Sequence, residues 1–303
     1  MYMNLFSLET LRRWYAEEIR WASGVSDPRI ISAFASIPRE LFLSKGPWHF
    51  STGMMTETYQ LTPTAEPHHL YHNVMVAIDP EEELNTALPS YMASVMESAS
   101  IDIGSTVAQI GAGLGYYSAI LSHLVGPTGS VFALEANPLL AKQCQRNLAS
   151  YPNSTCLHAD GSTYPFKARS LDVLIVHGAA THVPRRWLES LNEGGRILVP
   201  LSYASDEPGQ LARITRQRTG FLVEFIQEVF AYPCTGTYNE ECAETLREAV
   251  EMYGWYTNSE LRLDLEKVDD SAWLVTPNYW ISMTEDGELH DAPRGLSHLF
   301  EGA

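Results

Sequence analysis

The stretch TVAQIGAGLGYYSAIL, residues 106–121, decides the fold. Residues 107–110 form a short apolar run, which predicts a buried parallel strand. Gly111, Gly113 and Gly115 then punctuate a turn of the form G-x-G-x-G, and residues 116–124 follow with an apolar helical pattern. Strand, glycine turn and helix make a cradle for a nucleotide. Glycines let the backbone approach a ligand, and a helix start offers N–H groups without intrahelical partners.

Working outward, residues 130–134 predict a second strand that ends on Glu135. That glutamate lies about 20 residues past Gly115, where an acidic side chain meets ribose hydroxyls in nucleotide-binding α/β folds. The spacing differs from the dinucleotide fingerprint G-x-G-x-x-G and fits the S-adenosyl-L-methionine cradle of class I methyltransferases better. Further strands are expected at 155–157, 171–176, 196–201, 210–216 and 222–231, with helices at 90–99, 137–149 and 184–191. The turn Glu193-Gly194-Gly195 is expected to lead into the strand at 196. Alternation of this kind implies right-handed crossovers and a parallel sheet covered on both faces. Ligands of such sheets bind at the carboxyl ends of the strands. Gly111, Glu135, Asp160 and His177 each follow a predicted strand end.

The N-terminal part reads as two helices. One spans residues 4–22, capped by Ser7 and stopped by Gly24; the other opens at Asp27-Pro28 and stops before Pro38. Residues 44–72 are rich in proline, glycine and aromatics and are expected to lack regular structure. His68, His69 and His72 fall here, but Pro67 precedes them and no cysteine or carboxylate completes a ligand set, so they read as histidines of a surface loop.

Of the 303 residues, 45% are hydrophobic, enough for a sizeable core. The formal net charge of −17 argues against nucleic acid and anionic membranes as partners. No apolar run approaches the length of a membrane span, and the first residues lack a signal-peptide core. Cys144, Cys156, Cys234 and Cys242 form no C-x-x-C pair, which suits reduced thiols in a cytoplasmic protein. Residues 239–303 carry 15 acidic and 4 basic side chains yet contain Trp255, Trp273 and Trp280, so a folded acidic appendage is expected, not a disordered tail. It should comprise a helix over 240–256 and two short strands within 272–283. Such an appendage either selects a substrate, covers a sheet edge or makes an oligomer contact.

Three runs taken together carry a resemblance: AQIGAGLGYYSAILSHLVGPTGSVFALEANP, HADGSTYPF and LDVLIVHGAATHVPRRWLESLNEGGRILVPL. With the upstream DPRIISAFASIPRELF, they resemble the protein-L-isoaspartate O-methyltransferases over roughly residues 27–235. The resemblance implies a class I, Rossmann-like α/β sandwich with N-terminal helices (residues 1–100, including the reaction loop). A cofactor-binding core (101–237) and an α+β extension (238–303) would follow. It implies S-adenosyl-L-methionine as methyl donor, S-adenosyl-L-homocysteine as product, and a peptide or protein carboxylate as acceptor. By the same analogy Gln109, Gly111, Ala112, Gly113, Gly115 and Tyr116 line the methionine part of the cofactor. Glu135 and Ala136 hold the ribose, Asp160 and Gly161 lie by the adenine, and His177 either lines the site or is structural.

The sequence departs from that family in three places. Gln109 stands where an acidic residue is usual. The reaction loop G-Q-T-I-S-x-P aligns with residues 83–89, so its serine becomes Ala87 and its threonine Asn85. Residues from about 238 onward have no counterpart in the short repair enzymes, whereas family members that modify ribosomally made peptides often carry extensions. An ionised carboxylate needs alignment with the methyl more than a strong base. Asn85 and Thr86 are therefore the expected hydrogen-bonding residues near the methyl, or else they only cap the Leu88-Pro89 turn. Arg185 and Arg186 are either attractants for the acceptor or solvated surface charges. The expected activity is carboxyl O-methylation of a dedicated peptide in biosynthesis. The alternatives are isoaspartate repair and a non-catalytic cofactor-binding scaffold.

Overall fold

A computed structural model describes residues 6–52, 59–79, 84–204, 206–284 and 287–289. The chain divides into two compact units, Met1–Ala159 and Asp160–Ala303.

The first unit opens with helix α1 (Leu8–Ser23). Ser7 accepts a hydrogen bond from the Thr10 amide, and Gly24 closes the helix in the left-handed conformation with its N–H on the Arg20 carbonyl. The helix starts later than residue 4; residues 1–5 lie outside the described part of the chain. Helix α2 (Pro28–Ser36) is capped by Asp27 as expected. Residues 44–72 depart from the irregular loop that their composition suggests. They contain strand β1 (His49–Ser51), strand β2 (Gln60–Leu61) and a 3-10 turn at Pro67–Leu70; residues 53–58 lie outside the described part. With β3 (Met75–Asp79) and β4 (Leu84–Asn85) they make a small antiparallel sheet in the order β2-β1-β3-β4. Such short strands carry no readable period of their own. They are fixed by the apolar cluster of Trp48, Leu70, Val74 and Val76, to which Leu43 and Phe50 add partly buried surface.

Helix α3 (Pro89–Ala99) then leads to strand β5 (Thr106–Ile110), helix α4 (Tyr116–Val125), strand β6 (Ser130–Glu135), helix α5 (Pro138–Asn147) and strand β7 (Ser154–His158). Strands β5, β6 and β7 run parallel and in register, with Gln109 opposite Ala133 and Glu135 opposite His158. Helix α1 packs on α2 and α3, and α2 packs on α4.

The second unit contains β8 (Leu171–Val176), helix α6 (Arg185–Ser190), β9 (Leu191–Leu201), β10 (Gly209–Arg216) and β11 (Phe221–Val229). Strand β9 begins directly after α6, so Glu193-Gly194-Gly195 is strand and not a preceding turn. The ladder to β8 breaks register there, from Leu171↔Leu191 to Val173↔Arg196, a bulge that absorbs the glycines. Strands β8 and β9 are parallel, whereas β9, β10 and β11 are antiparallel, which makes the sheet mixed.

The described part of the acidic extension is folded; residues 290–303 lie outside the described part of the chain. Helix α7 (Glu240–Tyr253) ends at Gly254, three residues sooner than its apolar pattern suggests. Strands β12 (Tyr256–Thr257), β13 (Ser259–Arg262), β14 (Ala272–Val275), β15 (Trp280–Ser282) and β16 (Glu288–Leu289) follow. Strand β13 pairs with β11 and β15 with β13, so the extension continues the sheet of its own unit. Trp280 is fully buried beneath the Arg262 guanidinium, and its indole N–H reaches the Asp264 carbonyl. Among the described residues no helix is long and apolar enough to cross a membrane.

The extension therefore covers what would otherwise be the apolar edge of β11. Trp280→Ala should cost about 3–5 kcal/mol of unfolding free energy in denaturant titration, the range for a large buried aromatic. A loss below about 1 kcal/mol would mean the extension adds little to the unit's core.

Candidate active site

The glycine turn has the geometry its sequence calls for. Gly111, Gly113 and Gly115 take φ values of 75°, 56° and 88°, a left-handed path that side chains resist. A Cβ on Gly115 would meet Cys144 Sγ at 3.0 Å and Leu148 Cγ at 3.2 Å, so the turn is pressed against α5. The amides of Gly111 and Ala112 both donate to the Leu134 carbonyl, at 2.9 and 3.0 Å. Asn147 Nδ2 donates to the Leu114 carbonyl at 2.8 Å.

Glu135 ties the turn to the end of β6. Its Oε2 accepts the Gly113 amide at 2.7 Å and its Oε1 the Asn137 amide at 2.9 Å. The carboxylate offers about four lone-pair sites, more than these amides occupy, so it can still accept from a hydroxyl. Burial pushes its pKa above the ordinary carboxylate range, and the amides of Asn137, Gly113 and Ala136 pull in the opposite direction. Ala136 itself presents its carbonyl to His158 Nε2 at 3.1 Å. The first amides of α4, just past Gly115, have no intrahelical acceptor and carry the positive end of the helix.

Two of the residues expected at the cofactor face the interior. The Tyr116 ring is packed among Phe34, Phe42 and Tyr117, so only its backbone stands at the helix start. The physical reason is the aromatic N-terminal helical layer, which draws the first ring of α4 inward. Gln109 is fully buried; its Oε1 accepts from Ser118 Oγ at 2.7 Å and its Nε2 has no partner. An amide that keeps one hydrogen bond and strands the other end is what remains when a carboxylate is replaced at this point.

Beside this, the reaction loop forms a tight turn. Asn85 Oδ1 accepts the Ala87 amide at 2.8 Å, and Ala87 sits at φ 53° without being glycine. Thr86 is buried, and its hydroxyl is fully engaged. It accepts from Arg39 Nη2 at 3.0 Å and from the Val76 amide at 3.1 Å, and donates to the Ala87 carbonyl at 3.3 Å. Thr86 thus has no proton or lone pair left for an acceptor, and its role here is to hold the turn. Asn85 Nδ2 has no hydrogen-bond partner among the described residues and remains a donor.

In the second unit, Asp160 and Gly161 follow the strand region that ends at β7. Asp160 Oδ1 accepts the amide and hydroxyl of Ser162, at 2.8 and 2.7 Å, and Oδ2 has no donor among the described residues. The Gly161 carbonyl accepts the Trp187 indole N–H at 2.9 Å. Gly236 was not singled out in the sequence, but it closes over this turn. A Cβ there would meet Ser162 Oγ at 2.3 Å and the Asp160 carboxylate oxygens at 2.8 and 2.9 Å. His177 follows β8 and is half-buried. Arg185 is paired with Glu189 at 2.8 Å, and Arg186 donates to the Thr163 carbonyl, so both arginines are engaged locally. Among the described residues no three His, Cys, Asp or Glu side chains group to hold a metal; His69 Nε2 instead meets Thr64 Oγ1.

A braced glycine turn, an acid with spare lone pairs and a helix start suit the ribose and the charged amino-acid end of S-adenosyl-L-methionine. Comparison with known proteins agrees. The family model of protein-L-isoaspartate(D-aspartate) O-methyltransferase matches residues 16–238. The chain belongs to this family. As a member it is an S-adenosyl-L-methionine-dependent carboxyl O-methyltransferase of the class I fold.

The chain is 30% identical over 209 residues to the protein-L-isoaspartate O-methyltransferase of Ignicoccus hospitalis, covering 67% of this chain and 87% of that one. It is 32% identical over 211 residues to that of Aliivibrio salmonicida, covering 69% and 89%. A solved protein-L-isoaspartate O-methyltransferase superposes with a TM-score of 0.62 at 21% identity, covering 91% of this chain and 88% of that one. A Plasmodium falciparum structure, described as a beta-aspartate methyltransferase in complex with S-adenosyl-L-homocysteine, gives 0.57 at 15% identity, covering 74% and 98%. Coverage of 91% is more than residues 1–238 alone could supply. Part of the extension therefore superposes on that solved structure.

Because Glu135 must be ionised to accept the turn amides and ribose hydroxyls together, cofactor affinity should fall on acidification. The fall should start at a higher pH than for an exposed carboxylate, since the group is raised. Calorimetric titration should show it, and Glu135→Ala should bind about 1.5–3 kcal/mol more weakly. Unchanged affinity in Glu135→Ala would remove that residue from the site.

Proposed function

We propose that this protein transfers the methyl group of S-adenosyl-L-methionine to a side-chain carboxylate of the isoaspartyl type in a protein or peptide. The observation that carries the reading is the Glu135-braced glycine turn, set in a chain whose match to the family spans residues 16–238. S-adenosyl-L-methionine supplies an activated methyl on a sulfonium, and S-adenosyl-L-homocysteine is left as product.

The residues of this chain have a positioning task. An isoaspartyl carboxylate is ionised at neutral pH and is itself the nucleophile, so no residue need take a proton from it. Rate comes from holding the carboxylate oxygen in line with the methyl and keeping water away. Asn85 offers its Nδ2 as a donor to the acceptor carboxylate, while the Ala87 turn sets where that donor points. Glu135 and the α4 amides bind and orient the cofactor. Asp160 Oδ2 is an acceptor suited to an exocyclic amine such as that of adenine.

One feature favours a second reading, in which the acceptor is a dedicated peptide in a biosynthetic pathway. Ala87 occupies the serine position of the family's reaction loop, so one hydroxyl contact to the acceptor is missing.

Incubation with labelled S-adenosyl-L-methionine and an isoaspartyl peptide should give base-labile methyl ester at the isoaspartyl residue by mass spectrometry. The normal aspartyl peptide should stay unlabelled. Ala87→Ser should raise the rate by up to about tenfold, the worth of one neutral hydrogen bond. Absence of label on isoaspartyl peptides, together with label on a single biosynthetic peptide, would transfer the assignment to the second reading.

A further inference from the structure

Arg39 is a fully buried cation of the first unit. It is 1% exposed, and no carboxylate pairs with it among the described residues. Its Nη1 donates to the carbonyls of Leu70 at 3.0 Å and His72 at 3.3 Å, and its Nη2 to the Val74 carbonyl at 2.8 Å and Thr86 Oγ1 at 3.0 Å. Nε has no partner. The guanidinium carbon stands 5.9 Å from the ring centres of both Tyr15 and Tyr116. A lone buried guanidinium is costly, and carbonyl dipoles and ring faces are what compensate it here.

All four acceptors lie on one stretch, residues 70–86. Three are the alternate carbonyls of residues 70, 72 and 74, leading into β3, and the fourth is the hydroxyl of the reaction loop. Thr86 passes the constraint on. Its amide donates to the Val76 carbonyl at 2.9 Å, its Oγ1 accepts the Val76 amide at 3.1 Å, and it donates to the Ala87 carbonyl at 3.3 Å. The same Ala87 carbonyl accepts Tyr117 Oη at 3.3 Å. Tyr117 is the second residue of α4, the helix that starts at the glycine turn. A continuous line thus runs from Arg39 through Thr86 and Ala87 to the helix of the cofactor turn. It holds Ala87 in a left-handed conformation that a non-glycine residue does not keep unaided.

We propose that Arg39 is a positioning residue for methyl transfer: through Thr86 it fixes the Ala87 turn, and hence Asn85, against helix α4. This rests on the proposed carboxyl methylation at that loop. Arg39 touches neither substrate nor cofactor in this role. The planar fork matters because Nη2 serves the Val74 carbonyl and the Thr86 hydroxyl while Nη1 is anchored on the Leu70 and His72 carbonyls; a lysine ammonium has no second nitrogen to supply that anchor and so does not fix the direction of the Thr86 bond.

The test uses the full chain with Arg39→Lys, Thr86→Val and Thr86→Ser. Binding of S-adenosyl-L-homocysteine gives the concentration of folded, cofactor-competent protein, and kcat is referred to it. Thr86→Val should lose at least tenfold in kcat with cofactor affinity within twofold of the parent and a smaller change in KM. Thr86→Ser, which keeps the hydroxyl, should recover most of that loss. Arg39→Lys should match Thr86→Val where it folds; Thr86→Val decides where it does not. Values of kcat within twofold of the parent in Thr86→Val would overturn the proposal, since a purely structural contact would lower only the amount of folded protein. If the parent itself transfers no methyl to an isoaspartyl peptide, the proposed function fails, and amide exchange decides the positioning. Faster exchange over residues 84–88 in Thr86→Val supports it, and unchanged exchange overturns it.

Discussion

The Glu135 carboxylate is the interaction on which the cofactor turn depends. A run of three positive-φ glycines is the least rigid segment a chain can have, and unbraced it would lose any shape useful for binding. Glu135 receives the Gly113 and Asn137 amides on separate oxygens, which links the turn after β5 to the helix start after β6. Burial makes the charged form costly, and the converging amides offset that cost. The result is an acid that organises the turn and still has lone pairs to offer. On the proposed reading, structure and cofactor recognition are served by one side chain.

A comparable economy governs the acceptor side of the first unit. Thr86 is a hydroxyl near the reaction loop, yet every donor and acceptor position on it is occupied by protein. What the loop presents is a shaped turn with the Asn85 amide at its shoulder. Since the attacking carboxylate brings its own charge, such a turn is chemically sufficient: accuracy of placement takes the part that a base would play in hydroxyl methylation. Buried aromatics on α1, α2 and α4, with Arg39 among them, form the rigid backing that accuracy requires.

Much of this was legible in the sequence because it is local. The glycine turn, the β6 end at Glu135, the caps at Ser7, Asp27 and Asn137, and the strand at Leu171–Val176 all announce themselves within a few residues. The failures share one cause, which is dependence on distant partners. Strands β1 and β2 are two or three residues long and exist because β3 and the Trp48 cluster receive them. The glycines at the start of β9 look like a turn until the neighbouring strand takes up the bulge. Thr86 looks like a free hydroxyl until Arg39, far upstream, claims it. Gly236 sits in an unremarkable run, and only the approach of Ser162 and Asp160 shows why a side chain is excluded there.

The extension shows how composition can mislead about purpose. Its strong negative charge suggests a surface specialised for a partner. Its residues, however, do the ordinary work of a sheet edge: β13 pairs with β11, β15 with β13, and Phe225 packs in an aromatic group with Trp255 and Trp273. Tyr279 reaches back to accept the Val183 amide beside the loop that follows β8, and Asn239 donates its amide to Thr181 in that same loop. An element woven in at this depth is part of the fold, and the acidic side chains are those left over on its outer face. Charge excess at the end of a chain therefore carries no substrate information until the sheet beneath it is accounted for. On the proposed reading the departure that bears on chemistry is smaller and sits elsewhere: Ala87 and Asn85 in place of the loop's serine and threonine, on a turn whose conformation is held by protein hydrogen bonds.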